Sequence, residues 1–270
     1  MKFSIADAVR SRRSVRTFDD KRLKDSDLEA LKEFTKKDLN PFGLPVEFRF
    51  LDKDEDKLSS PVLKGEHTYM SAKTKKTEDY EIGYGYSFEY ACLYAESLGI
   101  GTVIIAGTFD RPAFEKAMEL SDDEIFITAS PVGYSAEKLS IRESMMRKGL
   151  RADDRVPFEE IFYKDNFENK LSKEDAGVFA EALEMVRLAP SAVNKQPWRV
   201  VVDGDKVHFY EKRTINKGEF DVQKVDMGIA ACHFDLSMQE NGHEGKFVKE
   251  APDIKVPEGL TYTISYERAK

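Results

Sequence analysis

Ile5-Ala6-Asp7-Ala8-Val9-Arg10 has helical spacing and runs straight into Ser11-Arg12-Arg13-Ser14-Val15-Arg16-Thr17-Phe18. Three guanidiniums and a hydroxyl, from Arg12, Arg13, Ser14 and Arg16, lie within five residues. A guanidinium is planar, permanently charged and able to grip a phosphate through paired hydrogen bonds. Serine adds a short neutral donor. Placed just after a helix, such a segment can wrap a phosphomonoester. A solvated basic turn has the same composition, and the residues alone leave both readings open.

The rest of the chain gives this cluster its weight. The 270 residues carry a net charge of −8, so the surface as a whole does not attract nucleic acid or anionic membrane. An anion site must then be a local gathering of cations. Hydrophobic residues make up 41% and charged residues 34%, a globular rather than a disordered composition. The longest apolar stretches, such as 102–107, are too short to cross a bilayer. The N-terminus shows no signal-peptide pattern. Two cysteines, Cys92 and Cys232, form no disulfide framework, and four scattered histidines give no metal-ligand spacing. A reducing cytoplasm is the expected compartment.

The order of elements repeats. Helices are expected over 24–36, capped by Asp25 or Ser26, and over 87–97. Strands are expected over 46–51, 67–72, 102–106 and 124–132. The stretch 136–155 reads as a basic linker or arm. A helix over 173–188, strands over 198–202 and 207–210, a helix over 228–238 and a strand over 260–266 follow. Gly85 to Gly99 and Gly228 to Gly242 span the same 14 residues, with a helix between in each case. The expected fold class is α+β, with helices packed on a mixed or antiparallel sheet in each of two diverged halves. Residues 1–160, including an arm at about 136–160, form the first and 161–270 the second.

In the second half, Ala189-Pro190-Ser191-Ala192-Val193-Asn194-Lys195-Gln196-Pro197-Trp198 ends a helix and feeds a strand. It is small, polar and turn-rich. Backbone groups of such a loop can approach a flat ligand, with Ser191 and Asn194 offering hydrogen bonds. Trp198 has a core role as the simpler reading. Gly99-Ile100-Gly101 follows a helix and precedes a strand, the reverse of a dinucleotide-binding loop.

These motifs resemble the FMN-dependent nitroreductase family. Arg12–Phe18 is similar to its opening motif and Ala189–Trp198 to its second. Gly99-Ile100-Gly101-Thr102 is similar to its helix-end glycine segment, Ser130–Lys138 to its "GYP-AEK" stretch, and Arg155-Val156-Pro157-Phe158-Glu159-Glu160 to its C-terminal tail. The departures are informative. Asn40-Pro41-Phe42-Gly43-Leu44-Pro45 lacks the Pro-Ser-x-x-Asn pattern, and Phe162–Phe167 lacks the arginines. Each half keeps one motif and loses the other.

Family members are dimers with the flavin at the subunit interface. The resemblance therefore implies a pseudo-dimer within one chain, sufficient as a monomer, with one FMN. It implies that Arg12, Arg13, Ser14, Arg16 and Arg155 bind the phosphate and ribityl chain. Pro190, Ser191, Ala192 and Asn194 would line the ring, and Ile82 and Gly83 would place a backbone N–H near the reactive nitrogen. NAD(P)H would supply hydride to a small-molecule acceptor, a nitro compound or quinone. No side chain is expected as a catalytic acid or base, and no metal, nucleic acid or membrane is involved. Tyr69, Tyr84, Tyr86 and His67 are candidate acceptor-pocket residues, each with an ordinary core or surface role as the alternative. A flavin-binding sensor or store with little turnover and a structural protein without cofactor are the competing readings.

Overall fold

The computed structural model describes residues 3–250 and 252–269. The chain forms two compact units. One comprises Met1–Tyr80 and Ser87–Ala152, the other Glu81–Tyr86 and Asp153–Lys270.

The first unit is built on a four-stranded antiparallel sheet of order β1-β2-β4-β3, with β1 at Val46–Asp52, β2 at Thr68–Lys75, β3 at Gly101–Thr102 and β4 at Glu124–Gly133. Its helices are α1 (Ile5–Ser11), α2 (Asp25–Thr35), α3 (Tyr80–Ser97), α4 (Arg111–Met118) and α5 (Ile141–Gly149). Leu51, Tyr69, Val103, Ile105, Phe114, Met118 and Phe126 make one apolar cluster. Elsewhere in this unit Phe34 of α2 stacks on Tyr94 of α3, ring centroids 4.0 Å apart.

Several expectations are corrected here. The cap of α2 is Lys24, which makes no side-chain cap bond, because Asp25 and Ser26 already lie inside the first turn. The supposed linker contains α5, capped by Ser140, whose hydroxyl accepts from Glu143 N at 3.1 Å. The strand expected over 102–106 ends at Thr102, and only a bridge between Ile105 and Ala129 continues it. Arg111, from the unforeseen α4, completes that edge. Its guanidinium donates to the carbonyls of Ala106, Phe126 and Ile127 at 2.7, 2.9 and 3.0 Å. Helix α3 begins at Tyr80 rather than Ser87, despite glycines at 83 and 85.

The second unit holds a five-stranded sheet of order β5-β6-β7-β9-β8. The strands are β5 (Phe162–Lys164), β6 (Trp198–Asp203), β7 (Lys206–Lys212), β8 (Gly245–Val248) and β9 (Leu260–Arg268). Only β5 and β6 are parallel. The short strands β5 and β8 were not expected from sequence. Helix α6 covers Ala180–Leu188, not 173–188, because Gly177 at φ 55, ψ −128 breaks the run after a 3-10 segment. Helix α7 spans Val222–Glu240, starting earlier than expected because Asp221 caps it, its side chain accepting from Gln223 N and Lys224 N. Among the described residues, no helix is long and apolar enough to cross a membrane.

The two glycine spacings have a physical cause. Gly99 and Gly242 both stand at positive φ just past α3 and α7, and both helices close the same way. Gly99 N bonds to Glu96 O and Ile100 N to Ala95 O; Gly242 N bonds to Gln239 O and His243 N to Met238 O. At the other end of the spacing, Gly85 and Gly228 permit backbone contact within the second unit. A Cβ at Gly85 would lie 2.2 Å from Val225 O, and one at Gly228 2.1 Å from Ile82 O. The contact is reciprocal, each carbonyl coming from the residue three before the other glycine. Gly228→Ala or Gly85→Ala is expected to cost about 1–3 kcal/mol by overpacking. Gly107→Ala, with open space around it, should cost far less. Urea denaturation of the three variants checks this.

Candidate functional site

The arginine segment is threaded into the first unit by the backbone of residues 15–18. Val15 N donates to Thr102 O at 2.9 Å, Phe18 N to Lys64 O at 2.8 Å, and Ala136 N to Thr17 O at 3.1 Å. Val15, Thr17 and Phe18 are buried. Three glycines make the seat. A Cβ at Gly101 would meet Val15 Cγ2 at 2.9 Å, one at Gly133 would meet Phe18 Cδ1 at 2.9 Å, and one at Gly65 would meet Phe18 O at 2.6 Å. The second glycine of Gly-Ile-Gly-Thr and the glycine of Val-Gly-Tyr thus serve the arginine segment directly.

With those residues buried, the intervening side chains are held beside α5. Arg13 Nη1 lies 3.7 Å from Glu143 Oε1, and Thr17 Oγ1 donates to Glu143 Oε2 at 2.7 Å. Glu143 is fully buried. Burial draws the Arg16 guanidinium below its ordinary proton affinity, Glu143 opposes that shift, and the positive charge of Arg147 adds to it. Three arginines therefore gather about one carboxylate. Arg12 turns inward instead, its Nε 3.6 Å from Glu89 Oε1, with side chains 6% and 0% exposed. Ser14 is half-buried, and its backbone bridges Thr102. Arg12 Nε, Arg13 Nη1 and Arg16 Nη1 are buried and make no hydrogen bond.

The second unit carries the remaining expected residues. Pro190, Ser191, Ala192 and Asn194 are half-buried on the loop after α6. Ser191 Oγ accepts from Gln196 N at 2.8 Å, which leaves its own proton to donate. Asn194 Nδ2 donates to Asp154 O at 3.1 Å. Ala192 N donates to both carboxyl oxygens of Asp226, at 3.0 and 3.1 Å. Arg155 Nε and Nη2 reach Leu188 O, the last carbonyls of α6, and Nη1 reaches Asp154 O. Ile82 is in the first turn of α3, where N–H groups lack an intrahelical acceptor, and Gly83 follows it. One turn of α7 serves both groups. Asp226 takes the loop, while Val225 and Gly228 meet Gly85 and Ile82.

Asp226 is 3% exposed. Its carboxyl is pushed well above the ordinary range, first by burial and then by the charges of Asp221 and Glu211, against the hydrogen bond from Ala192. The aromatic candidates are structural. Tyr69 is buried and donates to Glu66, Tyr86 donates to Asp235 at 2.6 Å, and Tyr84 and Trp198 are fully buried. His67 sits beside Asp20 at 3.2 Å. Glu143, Thr17, Asp226 and Gln196 were missed by sequence reasoning. Thr17 and Gln196 stood inside the quoted motifs; Glu143 and Asp226 carried no local signal.

A family model described as "Putative TM nitroreductase" matches residues 4–238. No curated protein matches the chain. Among solved structures, the chain is similar to a "putative nitroreductase" from Thermotoga maritima, at 19% identity and a TM-score of 0.65, over 99% of this chain and 94% of that one. It is also similar to an FMN-dependent nitroreductase from Clostridium difficile, at 16% identity and a TM-score of 0.40, over 49% of this chain and 88% of that one. A third is a "Putative NADH dehydrogenase/NAD(P)H nitroreductase" from Bacteroides thetaiotaomicron, at 18% identity and a TM-score of 0.42, over 52% of this chain and 91% of that one.

The raised carboxyl of Asp226 has a measurable consequence. A group that binds its proton more tightly when folded favours the fold fully below its unfolded value, about 4 for aspartate, and that favour is lost as pH rises through the folded value. Asp226→Asn is therefore expected to be more stable than wild type at pH 8, with the difference shrinking towards about pH 4. Urea midpoints at the two pH values check it; a variant less stable at pH 8 contradicts it.

Proposed function

Because the chain belongs to this nitroreductase family, we propose that it is an FMN-dependent oxidoreductase, passing hydride from NAD(P)H to a nitro compound, quinone or similar small acceptor. The observation that carries the reading is the buried nitrogen Arg16 Nη1, which has no hydrogen-bond partner, next to Arg12 Nε and Arg13 Nη1, whose carboxylate contacts with Glu89 and Glu143 are long, at 3.6 and 3.7 Å. An unsatisfied buried donor costs about 1–3 kcal/mol, more when charged. Such a donor fits an anionic partner, and a phosphomonoester carries close to two negative charges.

In this reading Arg12, Arg13, Ser14 and Arg16 bind the phosphate and ribityl chain, joined by Arg155. Pro190, Ser191, Ala192 and Asn194 line the ring, and the N–H groups of Ile82 and Gly83 face its reactive nitrogen. Bound FMN would supply the hydride chemistry. The protein's part is to orient the ring and limit water, so a side-chain acid or base is not required. The chain is read as a tandem of two halves with one FMN and a monomer as sufficient unit. Two observations support a single site: Phe162–Phe167 has no arginine, and the residue that follows Val225 as Gly83 follows Ile82 is Asp226, whose carboxyl is taken by Ala192. Its expected setting is the cytoplasm.

Purified protein should hold FMN near one per chain; two per chain, or none after reconstitution, overturns the reading. Arg16→Ala removes one partner of a charged contact and should weaken FMN by roughly 2–5 kcal/mol. Lys75→Ala breaks only an exposed pair with Asp123 and should stay yellow. Steady-state oxidation of NAD(P)H with a nitroaromatic or quinone should turn over at about 1 s⁻¹ or faster. Flavin binding with far slower turnover would favour a sensor or store.

A further inference from the structure

The loop after α6 holds an unusual backbone. Val193, Asn194 and Gln196 have φ of 44, 57 and 48°, and none is glycine. β-branched valine is among the residues least suited to this region. Such conformations persist only where the surroundings over-determine them, and they gather at functional sites. Hydrogen bonds hold the loop in this form. Ser191 Oγ takes Gln196 N, Gln196 Oε1 takes Val156 N at 2.9 Å, and the amides of Asn194 and Gln196 reach Asp154 O. Each joins the loop to itself or to the adjoining 154–156 strip.

Asp226 reaches the loop from farther along the chain. It comes from α7, is buried, and gives both carboxyl oxygens to Ala192 N. The charged groups around it are Asp221 at the start of α7 and Glu211 on β7, both paired with Arg213, and Glu81 on α3, which accepts from Asp221 N. Asp226 itself has no cation beside it among the described residues. A buried acid among other acids is a poor stabiliser. Its position is explained by what it holds.

We propose that Asp226 is a positioning residue. Its carboxyl fixes the Pro190–Asn194 loop to the turn of α7 that also meets Ile82, and so sets how the loop meets the flavin ring. This rests on the flavin reading above and assigns the loop's geometry to one side chain.

The test uses the full chain with Asp226→Asn, which keeps a carbonyl acceptor, and Asp226→Ala, which keeps none. Asp226→Leu fills the space without an acceptor and stands in if the alanine variant does not fold. In flavin-free protein, amide exchange at Ala192 and Gln196 should quicken about tenfold or more in the alanine or leucine variant, while amides at Ala230 and Cys232 inside α7 hold their rates. FMN should bind that variant about tenfold or more weakly, and the asparagine variant within about threefold of wild type. Once saturated with FMN, the alanine or leucine variant should show a shifted midpoint potential and visible spectrum, which a role confined to folding would not produce. Unchanged exchange at Ala192 and Gln196 overturns the proposal, as does loosened exchange with unaltered FMN affinity and potential. If wild type binds no FMN, the functional reading fails, and the exchange rates still decide whether Asp226 holds the loop.

Discussion

Ile82 O and Val225 O each face a glycine, Gly228 and Gly85, at distances no Cβ would permit. This backbone-on-backbone approach explains why α3 keeps its helical form through Gly83 and Gly85, although glycine in a helix costs roughly 1 kcal/mol relative to alanine. It also explains why Glu81–Tyr86 group with the second unit while the rest of α3 belongs to the first. One residue along, the same turn of α7 offers the carboxyl that receives Ala192. Local geometry at a single turn thus reaches two of the segments on which the functional reading depends.

Electrostatics organise the first unit in a complementary way. A chain of net charge −8 gathers Arg13, Arg16 and Arg147 about Glu143, and the carboxylate is held in place by the Thr17 hydroxyl. Without Glu143, burying Arg16 among other guanidiniums would meet repulsion with little to offset it. The carboxylate keeps Arg13 and Arg16 close together. Arg12 is stabilised separately by Glu89, so the four polar residues of the opening motif meet distinct surroundings.

Both candidate segments stood out in the sequence because each is continuous. Arg12–Arg16 and Pro190–Asn194 carry their donors side by side, and the alternation of β1 and the Pro-Trp entry to β6 read directly. What holds them was not legible. Glu143 lies 126 residues from Thr17, and Asp226 lies 34 from Ala192; nothing in either local pattern marks a buried acid. Helix α5 was hidden because its outer face exposes Ile141 and Met145, so apolar residues there do not mark a core stripe. Helix α4 and the short β3 were confused for a related reason. Arg111 satisfies carbonyls that a longer strand would have paired, and a side chain standing in for a ladder leaves no period to read.

The glycine seat beneath the arginine segment ties distant parts of the chain into one evolutionary unit. Gly65 and Gly133 accommodate Phe18, and Gly101 accommodates Val15 together with Ser135, whose Oγ would lie 2.8 Å from a Cβ there. Bulk can be traded at two of the contacts but not at the third. A smaller residue at 18 would open room for alanine at 133, whereas room at 101 requires Val15 to shrink and Ser135 to turn or change. At 65 the obstacle is the carbonyl of Phe18, which every amino acid possesses, and the backbone angle there is left-handed as well. Divergence at 133 should therefore follow the history of position 18, and at 101 that of positions 15 and 135, whereas position 65 is free to change only if the path of the main chain changes with it.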